Sequence, residues 1–161
     1  MPRTLKTQAL IAYNLRTGRE LWCYVIVGGS VAVTEQSVTL GSTSAGTSTA
    51  GIASFDAVTG ILKWEADGPF GQWYDMSHSS TALYVTDGSN HNRLHALSIT
   101  NGTQLWHANF ANDMLGEAVQ EQGVVFVFLV GPQHTIGTKM PNRLVTLDAK
   151  TARVYWEREI A

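Results

Sequence analysis

Ala12-Tyr13-Asn14-Leu15-Arg16-Thr17-Gly18-Arg19-Glu20-Leu21-Trp22 is the stretch that decides the fold. It returns as Ser54 to Trp64, Ala96 to Trp106 and Thr146 to Trp156. Trp22, Trp64 and Trp106 follow one another at intervals of 42 residues, and Trp156 follows after 50. Eight residues before each tryptophan stands Asn14, Asp56, Ser98 or Asp148, and five before stands Thr17, Thr59, Asn101 or Thr151. Four before stands Gly18, Gly60, Gly102 or, in the last copy, Ala152; nine before stands an apolar Tyr13, Phe55, Leu97 or Leu147. A fixed period of this length signals a repeat architecture and constrains every later assignment.

Each copy reads as a hairpin. The polar residue bonds nearby backbone amides, and the glycine supplies a positive φ, so the two bracket a tight turn. Short β-like stretches flank it, such as Leu94-His95-Ala96-Leu97 and Thr103-Gln104-Leu105-Trp106. Between successive hairpins lie two further strand candidates: Gly71–Met76 and Ala82–Thr86 in the third unit, Glu117–Gln120 and Val124–Val130 in the fourth. The turns joining them, such as Glu121-Gln122-Gly123, are short. Four antiparallel strands per roughly 42 residues is the signature of a propeller blade. The expected fold is all-β, with blades of four antiparallel strands.

The pattern Ala-x-Asn/Asp-x-x-Thr-Gly-x-x-x-Trp resembles the tryptophan-docking motif of PQQ-like β-propellers. That family holds both quinoprotein alcohol dehydrogenases and BamB-type outer-membrane assembly scaffolds. The first copy matches at every defining position; the others depart at Ser54, at Ser98 and Asn101, and at Thr146 and Ala152. The resemblance implies that Trp22, Trp64, Trp106 and Trp156, with Gly18, Gly60 and Gly102, are structural. Each indole would pack between neighbouring blades and donate its N–H to a backbone carbonyl, which suits a large side chain with one polar atom. The repeats are placed at about 9–25, 26–67, 68–109 and 110–161 of a single domain, 1–161. That amounts to about three and a half blades, a partial ring. Open strand edges recruit other chains, so missing blades of a longer protein or another chain are expected to cover them.

Bulk composition agrees with a sheet protein. Of the 161 residues 44% are hydrophobic and only 15% charged, with 15 glycines and five tryptophans, against about 25% charged in typical soluble domains. A net charge of −2 excludes a broad basic footprint for nucleic acid. No stretch approaches the ~20 apolar residues of a membrane helix. The first residues lack the apolar segment of a signal peptide, whereas the resemblance implies a periplasmic or other extracytoplasmic setting.

An up-and-down meander alternates its connections between two ends; in this chain the docking turns share one end and the longer connections fall on the other, where rigid scaffolds carry binding loops. Here these are Gly41–Gly51, Glu65–Gln72, Asp87–Arg93, His107–Gly116 and Gly131–Asn142. These loops and their margins supply the candidate binding residues Phe70, Trp73, Tyr74, His91, His107, Phe110 and His134. Trp73 stands nine residues after Trp64, outside the register of the other four tryptophans. Two roles fit it, a partly exposed binding anchor beside Phe70 and Tyr74 or a buried plug between blades.

Catalytic constellations are weak. His91 and His95 on a strand stand roughly 13 Å apart at about 3.3 Å per residue, too far to share a metal. Asp87–Asn92 is oxygen-rich but lacks the twelve-residue calcium pattern with its closing Glu. Gly41–Gly51 has no Walker lysine. The quinone enzymes of the family use a vicinal Cys-Cys disulfide, a Glu/Asn/Asp calcium set and a catalytic Asp. This chain has one cysteine, Cys23, which reads as packing. The leading expectation is a non-catalytic scaffold, a piece of a longer PQQ-like repeat protein, that binds protein or another ligand, with no cofactor predicted. The rival is part of a quinoprotein oxidoreductase binding PQQ and calcium.

Overall fold

The computed structural model describes residues 8–26, 29–43, 50–67, 75–87, 92–110, 114–131 and 141–160. All fourteen elements among them are strands, and every pairing is antiparallel. Phe70, Trp73, Tyr74, His91 and His134 lie outside the described residues, so neither role of Trp73 is addressed by the fold. The chain divides into two compact units, Met1–Pro69 and Phe70–Ala161.

The first unit holds β1 (Gln8–Tyr13) paired with β2 (Glu20–Ile26). It also holds a four-stranded meander of β3 (Ser30–Val33), β4 (Ser37–Thr43), β5 (Ala50–Asp56) and β6 (Leu62–Asp67). The second unit holds two such meanders. One is β7 (Met76–His78), β8 (Ala82–Asp87), β9 (Arg93–Ser98) and β10 (Gln104–Asn109). The other is β11 (Met114–Glu121), β12 (Val124–Val130), β13 (Asn142–Asp148) and β14 (Val154–Ile160). These are the all-β, four-stranded blades of a propeller.

Neighbouring blades of the second unit share one core. Tyr84, Leu94, Ala96 and Trp106 from one sheet meet Ala118, Val125, Val127, Leu129, Val145 and Leu147 from the other. In β12 Val125, Val127 and Leu129 are all fully buried, the period-two face of a strand packed on a sheet. The Ser77 hydroxyl donates to the Ala118 carbonyl and ties β7 to β11. Leu94 to Leu97 of β9 are buried without alternation, as befits a strand covered on both faces. Gln122 and Gly123 both take positive φ, +47° and +81°, which is the tight hairpin geometry that matches strand twist.

The inner strand of the third blade lies later than its sequence suggests. It was expected over 71–76, and the described strand is Met76–His78, with Met76 opposite Val85 and His78 opposite Leu83. Ser77-His78-Ser79 carries no apolar alternation; pairing with β8 creates the strand.

Candidate functional site

The repeated hairpin forms the same turn four times. The N–H of its first residue donates to the carbonyl five residues on, and the N–H of its fifth donates back to the first. These pairs are Asn14–Arg19 and Gly18–Asn14, Asp56–Ile61 and Gly60–Asp56, Ser98–Thr103 and Gly102–Ser98, and Asp148–Arg153 and Ala152–Asp148, at 2.8–2.9 Å. Gly18, Gly60, Gly102 and Ala152 all sit at φ between +60° and +72°. The left-handed region suits glycine, and Ala152 is the one copy that carries a Cβ there. The Asn14, Asp56 and Asp148 side chains cap the turn. Each Oδ1 accepts from two amides and from the threonine hydroxyl of Thr17, Thr59 or Thr151. Ser98 is too short for this, and Asn101 instead accepts from the Thr103 amide and hydroxyl.

The second residue of the turn works in two directions. The Ala57 N–H donates to Gln36 O and the Ala149 N–H to Gly123 O, which fastens the turn to the other hairpin of its own sheet. Their carbonyls accept a tryptophan from the preceding sheet: Trp22 Nε1 to Ala57 O at 3.1 Å, and Trp106 Nε1 to Ala149 O at 2.8 Å. Trp22, Trp64, Trp106 and Trp156 hold one register position, opposite Ala12, Ser54, Ala96 and Thr146. The first three are buried, whereas Trp156 is 46% exposed on β14, whose residues are exposed throughout.

Tyr24, two residues after Trp22, adds a contact that the sequence did not single out. Its hydroxyl donates to Gly60 O at 2.7 Å, and its ring lies 4.7 Å from Phe55 and 5.7 Å from Trp22. The equivalent positions hold Ala66, Ala108 and Arg158, so no repeat signal marks it.

Of the seven candidate binding residues, two are described. His107 belongs to β10 rather than to a loop, directly opposite His95, and is exposed. Gln104 bridges the pair: its Oε1 accepts from Nδ1 of buried His95 at 3.0 Å, and its Nε2 reaches His107 Nδ1 at 3.5 Å. Phe110 is half-buried, packs against the core of the second unit, and donates its N–H to Asn92 O. His107 is thus available to a partner, whereas Phe110 contributes to the fold.

The fourth turn is electrostatically distinct. Tyr155 donates its hydroxyl to Asp148 Oδ2 at 2.6 Å. That bond first, then the Thr151 hydroxyl and the turn amides, holds the Asp148 carboxyl down at about 2. The same bond raises the Tyr155 phenol above its ordinary value. The Asp56 carboxyl is lowered mainly by the Thr59 amide and hydroxyl. These carboxylates are turn caps bonded within their own hairpins, which suits structure better than proton transfer.

Cys23, expected as packing, stands between Trp22 and Tyr24 and is exposed, because its side chain lies outside the core that Trp22 joins. No group of three or more His, Cys, Asp or Glu that could hold a metal occurs among the described residues.

The chain matches the family model described as outer membrane protein assembly factor BamB over residues 4–161. No curated protein sequence matches it. Among solved structures, BamB from Moraxella catarrhalis aligns at a TM-score of 0.71 and 18% identity, over 94% of this chain and 42% of that one. A europium-containing methanol dehydrogenase aligns at 0.68 and 11% identity, over 95% of this chain and 38% of that one. The computationally designed Ika8 protein aligns at 0.65 and 14% identity, over 91% of this chain and 42% of that one. The chain thus spans less than half the length of each of these propellers, and identities this low speak for the fold alone. With the match running through all four repeats, the chain belongs to the PQQ-like β-propeller repeat family of the outer membrane protein assembly factor BamB.

Proposed function

We propose that this chain is a non-catalytic scaffold that binds other proteins, as part of an extracytoplasmic assembly apparatus of the kind named by its family. The observation that carries this reading is the family match over 4–161. The likeness to a methanol dehydrogenase keeps one rival reading, part of a quinoprotein oxidoreductase.

Titrating the purified chain with PQQ and Ca²⁺ while following the quinone absorbance separates the two. The scaffold reading expects no saturable uptake, and one-to-one binding overturns it. A photoreactive side chain introduced at His107, in cells with an outer membrane, is expected to give discrete protein adducts.

A further inference from the structure

Two imidazoles and an amide meet on one face of the third blade. His95 of β9 stands directly opposite His107 of β10, with ring centroids 6.1 Å apart. The register of β10 shifts between Gln104 and Trp106, and this bulge brings Gln104, three residues before His107, to the same face. Nδ1 of both rings addresses the Gln104 side chain, His95 at 3.0 Å from Oε1 and His107 at 3.5 Å from Nε2. The repeat supplies its own control. The matching trios are Ile11, Glu20 and Cys23; Ala53, Leu62 and Glu65; and Val145, Val154 and Glu157. The other three copies of the hairpin thus form with an apolar side chain at the position of His95. An imidazole only 2% exposed there carries a desolvation cost that the fold does not require.

We propose that His95 Nδ1, His107 Nδ1 and Gln104 Oε1 bind one zinc ion, with water as the fourth ligand. Imidazole is a preferred zinc ligand, and three protein donors with an open fourth position make a standard tetrahedral site. Residues opposite each other in an antiparallel pair bring their Cβ atoms to about 4.5–5.5 Å, which residues four apart along one strand do not. At a Zn–N distance of about 2.0–2.1 Å, two imidazoles on one ion have centroids about 5 Å apart. A turn of the exposed His107 ring about its side-chain bonds closes the difference. The same exposed side admits the ion and its water. On binding, Gln104 gives up its contact with His107, and His95 carries its proton on Nε2 so that Nδ1 can coordinate. The third donor is an amide oxygen, which is why the trio falls outside groups of three His, Cys, Asp or Glu.

Calorimetric titration of the purified chain with ZnCl2 tests the site. The wild type is expected to take up one Zn²⁺ per chain saturably, with the ring resonances of His95 and His107 shifting together in NMR spectra. His107→Ala changes an exposed side chain and is expected to weaken uptake by more than about ten-fold, the low end of what even outer-shell partners contribute. Gln104→Glu puts a carboxylate in place of the amide and is expected to tighten uptake, which a glutamine of purely structural value would not do. His78→Ala, exposed on β7 at the far edge of the same sheet, is expected to bind as the wild type does. Circular dichroism checks that each variant is folded. Absence of saturable uptake overturns the proposal. So does uptake that His107→Ala leaves intact, or that His78→Ala weakens equally, since the ion then sits elsewhere. Uptake weakened by Gln104→Glu overturns it as well. PQQ does not enter this readout, so the outcome is independent of the scaffold reading.

Discussion

Gly60 lies directly against the indole of Trp22, so close that a Cβ at residue 60 would fall 2.6 Å from Trp22 Cγ and 2.9 Å from its Cβ. The glycine is needed twice over, for its φ of +70° and for the space. Gly60→Ala is expected to lose about 2–5 kcal/mol, combining a left-handed φ cost of about 1–2 kcal/mol with overpacking of about 1–3 kcal/mol. Gly18→Ala meets only the φ cost, because a Cβ there meets nothing within 4 Å. Urea unfolding of the two variants checks the difference; equal losses would mean that the indole yields freely.

The four tryptophans are not equivalent in energy. Trp64 and Trp106 are buried, and Trp106 also lies 5.9 Å from the Tyr84 ring. Trp64→Ala and Trp106→Ala are each expected to cost ~3–5 kcal/mol, as for other buried aromatic truncations. Trp156→Ala is expected to stay within about 1 kcal/mol of the wild type, as surface substitutions do. Denaturation measures all three.

Thr39 and Ser54 form a buried hydroxyl pair across β4 and β5, with Thr39 Oγ1 donating to Ser54 Oγ at 3.1 Å. Ser54→Ala removes the acceptor and is expected to cost about 1–3 kcal/mol. The double variant Thr39→Val with Ser54→Ala should recover most of that loss, because no hydroxyl remains buried without its partner. A double-mutant cycle showing simple additivity would argue against the pair.

Asp148 should titrate at about 2, well below its ordinary value near 3.8. Its folded value is the lower one, so its contribution to stability is fully present above the unfolded value and fades as pH falls toward 2. Tyr155→Phe removes the first cause of the shift and should move the Asp148 midpoint upward. Carboxyl-carbon NMR of wild type and variant reads this directly, and an unmoved midpoint would assign the shift to Thr151 and the turn amides.

The hairpin turns, the blade period and the shared position of the four tryptophans were legible in the sequence. They depend on local chemistry: Asn14, Asp56 and Asp148 cap amides within three residues, and Gly18, Gly60 and Gly102 meet a φ requirement set by the turn itself. What lay beyond the sequence depends on distant partners. Met76–His78 is a strand because β8 pairs with it, and His107 lies in β10 because His95 stands opposite. Phe110 packs against the core because the second unit folds beside it, and Tyr24 gained its role from Gly60, 36 residues away. Four copies of one turn look alike in sequence, but only the tertiary structure shows that Ala57 receives Trp22 and Ala149 receives Trp106. The physical reason is range: turn geometry is settled by neighbours along the chain, whereas burial and docking are settled by what the fold brings alongside.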